Sequence, residues 1–148
     1  MVTINFSELV KKLDNELKLE RSEVVDNILY LYCYKDVKST FCPFCGEQSS
    51  SVHSTYTRTI KDLPIQEYET KIVLLCHKYF CNNSNCQHKT FSERFSFVEE
   101  KAVRTNRLTE YVNKIGLRNS SMDTVRDLKD NFIKMSLNTV LRILKKNK

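Results

Sequence analysis

Glycine and proline are scarce in this sequence, with two of each in 148 residues. A long flexible linker is thereby excluded, because such linkers are rich in those residues. Internal repeats and low-complexity tracts are absent. No apolar run approaches membrane-spanning length, and no charged-then-apolar leader follows Met1. These absences point to a cytoplasmic protein without a membrane partner. Thiols stay reduced there, so the six cysteines favour metal over disulfide.

Four of those cysteines form two close pairs, Cys42-Pro43-Phe44-Cys45-Gly46 and Cys81-x4-Cys86. A tetrahedral metal needs ligands converging from two short turns, and such pairs supply them. Pro43 stiffens the first turn, and Gly46 can take the positive φ just past it. Asn82, Asn83 and Asn85 suit the second. The expected cofactor is one structural zinc on Cys42, Cys45, Cys81 and Cys86. His53, His77 and His88 are alternative ligands, although His88 makes no second pair at the usual spacing. Four thiolates would leave no open position for an activated water, which disfavours hydrolytic zinc chemistry. Cys33 and Cys76 fall inside predicted strands and read as small buried hydrophobes.

The charge is unevenly spread. Residues 103–148 carry eleven basic and four acidic side chains, whereas residues 1–41 are net −1 and residues 42–102 are neutral. A basic module beside a neutral one is the footprint of nucleic-acid binding. A solvated Lys-rich helical surface is the plainer alternative.

The fold class expected is α+β, in three parts. Residues 1–23 form an N-terminal helix, with Ser7 as cap and Leu9, Val10, Leu13 and Leu17 at helical spacing. Residues 24–101 form a small β-rich, zinc-ribbon-like domain, with strands over Ile28–Tyr34, Thr55–Ile60 and Ile72–Cys76. Residues 102–148 form a three-helix helix-turn-helix domain. Leu108, Tyr111, Val112 and Ile115 mark its first helix, which Gly116 ends. Ser120-x-x-Asp123 starts the second, with Met122, Val125 and Leu128 as its apolar face. Phe132 is expected to be buried, and Ser136 caps a last helix with Leu137, Val140, Leu141 and Leu144 inward.

That last helix then carries Asn138, Thr139, Arg142 and Lys146 on its polar side, with Lys145 at the margin. Asn can pair with adenine and Arg with guanine, while Thr can meet a phosphate or a thymine methyl. Arg104, Arg107, Arg118 and Arg126 are candidate phosphate contacts. Double-stranded DNA is the expected partner. No small-molecule substrate is indicated, and a homodimer is compatible with the sequence.

Several short motifs occur together: Cys42-Pro43-Phe44-Cys45-Gly46, Val52-His53-Ser54, Tyr56-x-Arg58, Asp62-Leu63-Pro64, Lys78-Tyr79-Phe80-Cys81-Asn82, Cys86, and Lys89-Thr90-Phe91-x-Glu93. Ser136-x-x-Thr139-Val140-Leu141-Arg142 follows. Over about residues 24–146 the chain resembles the N-terminal DNA-binding region of ISL-three-type insertion-sequence transposases. The resemblance implies a zinc ribbon, a helix-turn-helix and binding to transposon-end DNA in a prokaryotic, nucleoid-associated setting. It also implies DNA contacts by Tyr56, Arg58 and Lys61 and a turn shaped by Asp62-Leu63-Pro64. The sequence departs from the family in its N-terminal helix and in ending at Lys148, where a DDE catalytic domain would begin. The expected role is therefore sequence-specific DNA binding without catalysis. A stand-alone transcriptional regulator and a zinc-stabilised protein-interaction module are the alternatives.

Overall fold

A computed structural model describes residues 5–146. The chain is α+β, in the order α1 (Phe6–Leu13), β1 (Leu17–Val25), β2 (Ile28–Lys35), β3 (Thr40–Phe41), β4 (Gln48–Ser49), β5 (Val52–Ile65), β6 (Tyr68–Phe80), β7 (Thr90–Ser92), α2 (Asn106–Gly116), α3 (Ser121–Asp130) and α4 (Leu137–Lys146).

The helix expected over residues 1–23 is much shorter. Its cap is Asn5 rather than Ser7, since Asn5 Oδ1 accepts from the Ser7 amide at 3.1 Å. Residues 1–4 lie outside the described residues. After Leu13 the backbone of Asp14 turns extended, and its carboxylate accepts from the Glu16 amide at 2.9 Å. A short acidic side chain that bonds the backbone locally competes with helix continuation. Leu17, expected on the helical stripe, instead opens β1 and is fully buried.

β1 and β2 form a hairpin across Asp26 and Asn27, both at positive φ. Two such residues between strands make the tight turn that suits strand twist. β2 then lies parallel to β6, and β5 pairs antiparallel with the other side of β6. β7 pairs with the Lys78–Phe80 end of β6. Three of these strands, β2, β5 and β6, are those expected from the sequence, whereas most of β1 lies where the sequence predicts helix.

One face of the sheet is apolar. Leu29, Leu31 and Cys33 of β2 and Ile72, Leu74 and Cys76 of β6 alternate inward, and Ile60 of β5 joins them. Val10 of α1 covers this face together with Phe95, Phe97 and Val98. Cys33 and Cys76 are therefore core residues, as read from their strand positions. Burial pushes their thiols up to about 12 and about 11 respectively.

The three later helices share a second core of Leu108, Val112, Leu128, Ile133, Val140 and Ile143. Thr105 caps α2 and Ser120 caps α3, accepting from the amides of Leu108 and Asp123. Ser136 Oγ accepts from the Thr139 amide at the start of α4. At Gly116 a Cβ would overlap Leu144 Cδ2. The glycine thus permits close approach of α2 and α4.

Three burial expectations fail here. Phe132 is 44% exposed, with φ at 64°. It occupies the left-handed position just past α3. The Ile133 amide reaches the Leu128 carbonyl at 2.8 Å and the Phe132 amide reaches Lys129 at 3.2 Å. That pair of bonds is a Schellman ending, in which the following residue, here Ile133, is the one that buries. In α4, Ile143 is buried and Leu141 is 45% exposed. The inward arc runs through Val140, Ile143 and Leu144, so the helix is rotated from the expected phase. On α3, Met122 is exposed and Thr124 is buried in its stead.

The helices dock on β5. Lys61 donates its amide to the Val103 carbonyl and accepts from the Thr105 amide, each at 2.9 Å. Leu63 packs against the helical core. Asp62-Leu63-Pro64, expected to shape a turn, lies within β5 at a register irregularity; the chain reverses after Ile65. Among the described residues, no helix is long and apolar enough to cross a membrane.

Candidate metal centre and nucleic-acid interface

The two cysteine turns meet at the Val52 end of β5. The first is the loop between β3 and β4. The Cys42 amide donates to the Glu47 carbonyl at 2.9 Å, and the Gly46 amide returns to the Cys42 carbonyl at 2.8 Å. Gly46 sits at φ 80°, the left-handed conformation that glycine adopts without penalty. The second turn leaves the end of β6. The Cys81 amide donates to Lys89 and the Cys86 amide to Asn83, at 2.8 and 3.0 Å. Ser49 Oγ donates to the Phe80 carbonyl, tying the two turns together.

The four sulfurs lie within 4.8 Å of one another. Cys45 and Cys81 Sγ are 3.5 Å apart. Zinc–thiolate bonds of about 2.3 Å at tetrahedral angles put neighbouring sulfurs roughly 3.8 Å apart, so this donor set fits zinc. The electrostatics fit as well. The Glu47 backbone amide draws the Cys45 thiol down to about 7. Against the pull of the Asn83 amide, desolvation and neighbouring thiols push Cys81 up to about 12. Thiols so close resist shared ionisation, and a dication removes that conflict. The chain holds one structural zinc site on Cys42, Cys45, Cys81 and Cys86.

The three histidines lie outside that cluster. His88 stacks on Phe44 with ring centroids 3.5 Å apart, and His53 meets the edge of Phe80. His77 Nδ1 lies 3.3 Å from Glu93 Oε1. Glu93 is buried, and burial raises its pKa against the pull of His77. No periodicity in the sequence marks this carboxylate as buried.

The candidate interface residues divide into two groups. Asn138, Arg142, Lys145 and Lys146 are exposed on α4, and Leu141 lies on the same outward arc as the first three. Lys145 is therefore central to the outward face rather than marginal. Thr139 is half-buried and bonds Ser136 Oγ at 2.9 Å. Arg104 lies beside Arg142, and both burial and Arg142 lower its pKa, in that order.

The other arginines behave differently. Arg107 is committed to Asp62 through two hydrogen bonds, one from Nε at 2.8 Å. Thr105 Oγ1 donates to the same carboxylate at 2.7 Å. Arg107 is thus a brace between α2 and β5, which accounts for its charge without a phosphate. Arg58 donates to the carbonyls of Glu99 and Ala102, at 2.9 and 2.8 Å, and so braces the chain leading to α2. Arg126 pairs with Asp123 on the surface of α3. Arg118 and Tyr56 are exposed. From Val52 to Lys61 is nine residues of strand. At about 3.3 Å per residue, this separates the zinc end from the helical end of β5 by roughly 30 Å.

Residues 38–86 match the family described as the zinc-finger of transposase IS204/IS1001/IS1096/IS1165. The matched segment brackets all four sulfur ligands and spans about a third of the chain. It supports an ISL-three-type transposase zinc finger over these residues. No curated protein and no solved structure matches the chain.

Proposed function

We propose that this chain is a non-catalytic, sequence-specific DNA-binding protein, related to the transposon-end-binding region of insertion-sequence transposases. α3 and α4 act as the helix-turn-helix, and α4 is the reading helix. The observation that carries this reading is the outward arc of α4. Asn138, Arg142 and Lys145 stand at i, i+4 and i+7, opposite the buried Val140 and Ile143. Asn and Arg are the side chains that pair bidentately with adenine and guanine in the major groove, and exposed Leu141 suits a thymine methyl. The connection over residues 131–136 is longer than the usual turn of about three to four residues. Its Schellman ending and Ser136 cap define its two ends. In this reading the zinc is a staple, since four thiolates complete a tetrahedral shell.

The test is selection of bound duplexes from a random pool. A consensus should emerge for the parent, and Arg142→Ala should relax one position at a cost of about 1–3 kcal/mol. Equal affinity of parent and variant for consensus and random duplexes would sink the reading. One observation favours a protein-interaction module instead. Phe41, Phe44 and Phe80 are all exposed around the zinc turns. That alternative requires no enrichment in the selection.

A further inference from the structure

Between β5 and the α3–α4 connection lies a groove of about 610 Å³. Lys61 enters it from β5, Arg104 from the strand-like segment ahead of α2, and Lys129 and Lys134 from the α3–α4 side. Ser136 and Thr139 line it from the start of α4. Its lining contains no carboxylate. Among the described residues, none of these four cations is within ion-pair distance of an acidic group, although eight ion pairs form elsewhere.

Such convergence is unfavourable for the protein alone. Like charges gathered beside low-dielectric walls repel, and water screens them less than on an open surface. Arg104 intensifies the conflict. Its Nε is buried without a hydrogen-bond partner, and Arg142 lies nearby. A buried donor left unpaired costs free energy unless an acceptor arrives. Lys61 Nζ lies 3.5 Å from the Lys134 carbonyl, so the sheet and the helix connection already touch across the groove. The start of α4 adds the positive end of a helix dipole. The ligand that resolves all of these at once is an anion with several acceptor oxygens.

We infer that this groove is a phosphate seat, formed jointly by Lys61, Arg104, Lys129 and Lys134, and that a DNA backbone phosphate occupies it when α4 is docked. The choice of a backbone phosphate rests on the DNA-binding reading. The seat itself rests on the groove. Because its cations come from both β5 and the helical group, the occupied seat sets the angle at which the reading helix meets the duplex.

The test uses the full chain and the variant carrying Lys61→Gln with Lys134→Gln, with zinc content and circular dichroism confirming that it folds. The first arm compares thermal midpoints in sodium phosphate and sodium chloride at matched ionic strength. Phosphate should raise the parent's midpoint above its chloride value, and the variant should lose that difference. The second arm follows duplex affinity against salt, where the variant should lower the log–log slope by about one unit or more. A phosphate effect lost in the variant, with no duplex binding by the parent, would support the seat with a free phosphate group as its ligand and overturn the DNA reading. Duplex binding by both proteins with equal slopes, and no difference in their response to phosphate, would overturn the seat and leave the DNA reading standing.

Discussion

At the Val52 end of β5 the chain is gathered by four sulfurs, and among the described residues the buried apolar cluster there is Cys42 itself with Tyr79 and Phe91. At the Lys61–Leu63 end it is gathered by a buried carboxylate and a six-residue apolar core. Three buried residues cannot offset the ordering of two long turns, because fixing each residue costs about 1–2 kcal/mol of backbone entropy. Coordination does what packing cannot there. At the helical end, three capped helices supply their own core and need only an anchor. The two ends should therefore fail under different insults.

The largest separation comes from metal removal. A structural zinc can contribute on the order of 10 kcal/mol to folding. Chelation, or Cys81→Ser, should therefore abolish protection of the amides around Cys42 and Cys86. The amides of Val112 and Leu128, in the helical core, should stay protected. Hydrogen exchange followed residue by residue, with metal analysis alongside, reads this directly. Simultaneous loss at both ends would break the comparison.

The reverse insult is Leu128→Ala. Leu128 is fully buried in the helical core, and its truncation should cost about 3 kcal/mol through lost transfer and a residual cavity. Urea unfolding should show the loss, while zinc stoichiometry stays at one per chain. A variant that lost zinc as well would mean that the two ends fold as a single unit.

Asp62→Asn targets the anchor itself. Breaking a buried pair costs about 3–5 kcal/mol, but Arg107 is 39% exposed and can rehydrate, so about 2 kcal/mol is expected. Thermal unfolding measures that cost. Exchange at the Lys61 amide, which donates to Val103, should rise before exchange in either core.

The two ends also differ in how they could be read from sequence. The zinc end was legible because its chemistry is local. Cys42 and Cys45 announce one turn, Cys81 and Cys86 the other, and each needs only its neighbours to be recognised. The Ser120 cap and the strands around Leu31 and Leu74 were legible for the same reason. The helical end depends on partners far away in the chain. Arg104 and Arg107 look alike in sequence, yet Asp62, more than forty residues earlier, claims one and leaves the other unpaired. The rotation of α4 that buries Ile143 and exposes Leu141 is likewise set by packing on α2 and α3. At the N-terminus, Leu13 and Leu17 keep helical spacing across a break at Asp14. Asp26-Asn27 between two apolar pairs is the local hairpin signal that points to β1.

The smallest effect bears on the connection between α3 and α4. Phe132 holds a left-handed conformation that suits glycine, and it is nearly half exposed, so packing repays only part of that cost. Phe132→Gly should relieve roughly 1 kcal/mol of backbone strain. It should also add flexibility to the unfolded chain, which offsets much of that gain. The expected outcome is a midpoint in urea equal to the parent's or slightly above it. A clear loss of stability would mean that the exposed ring does pack, and that the helical end relies on Phe132 as well as on its six buried residues. If stability holds while duplex affinity falls, the ring contributes at the interface rather than in the fold.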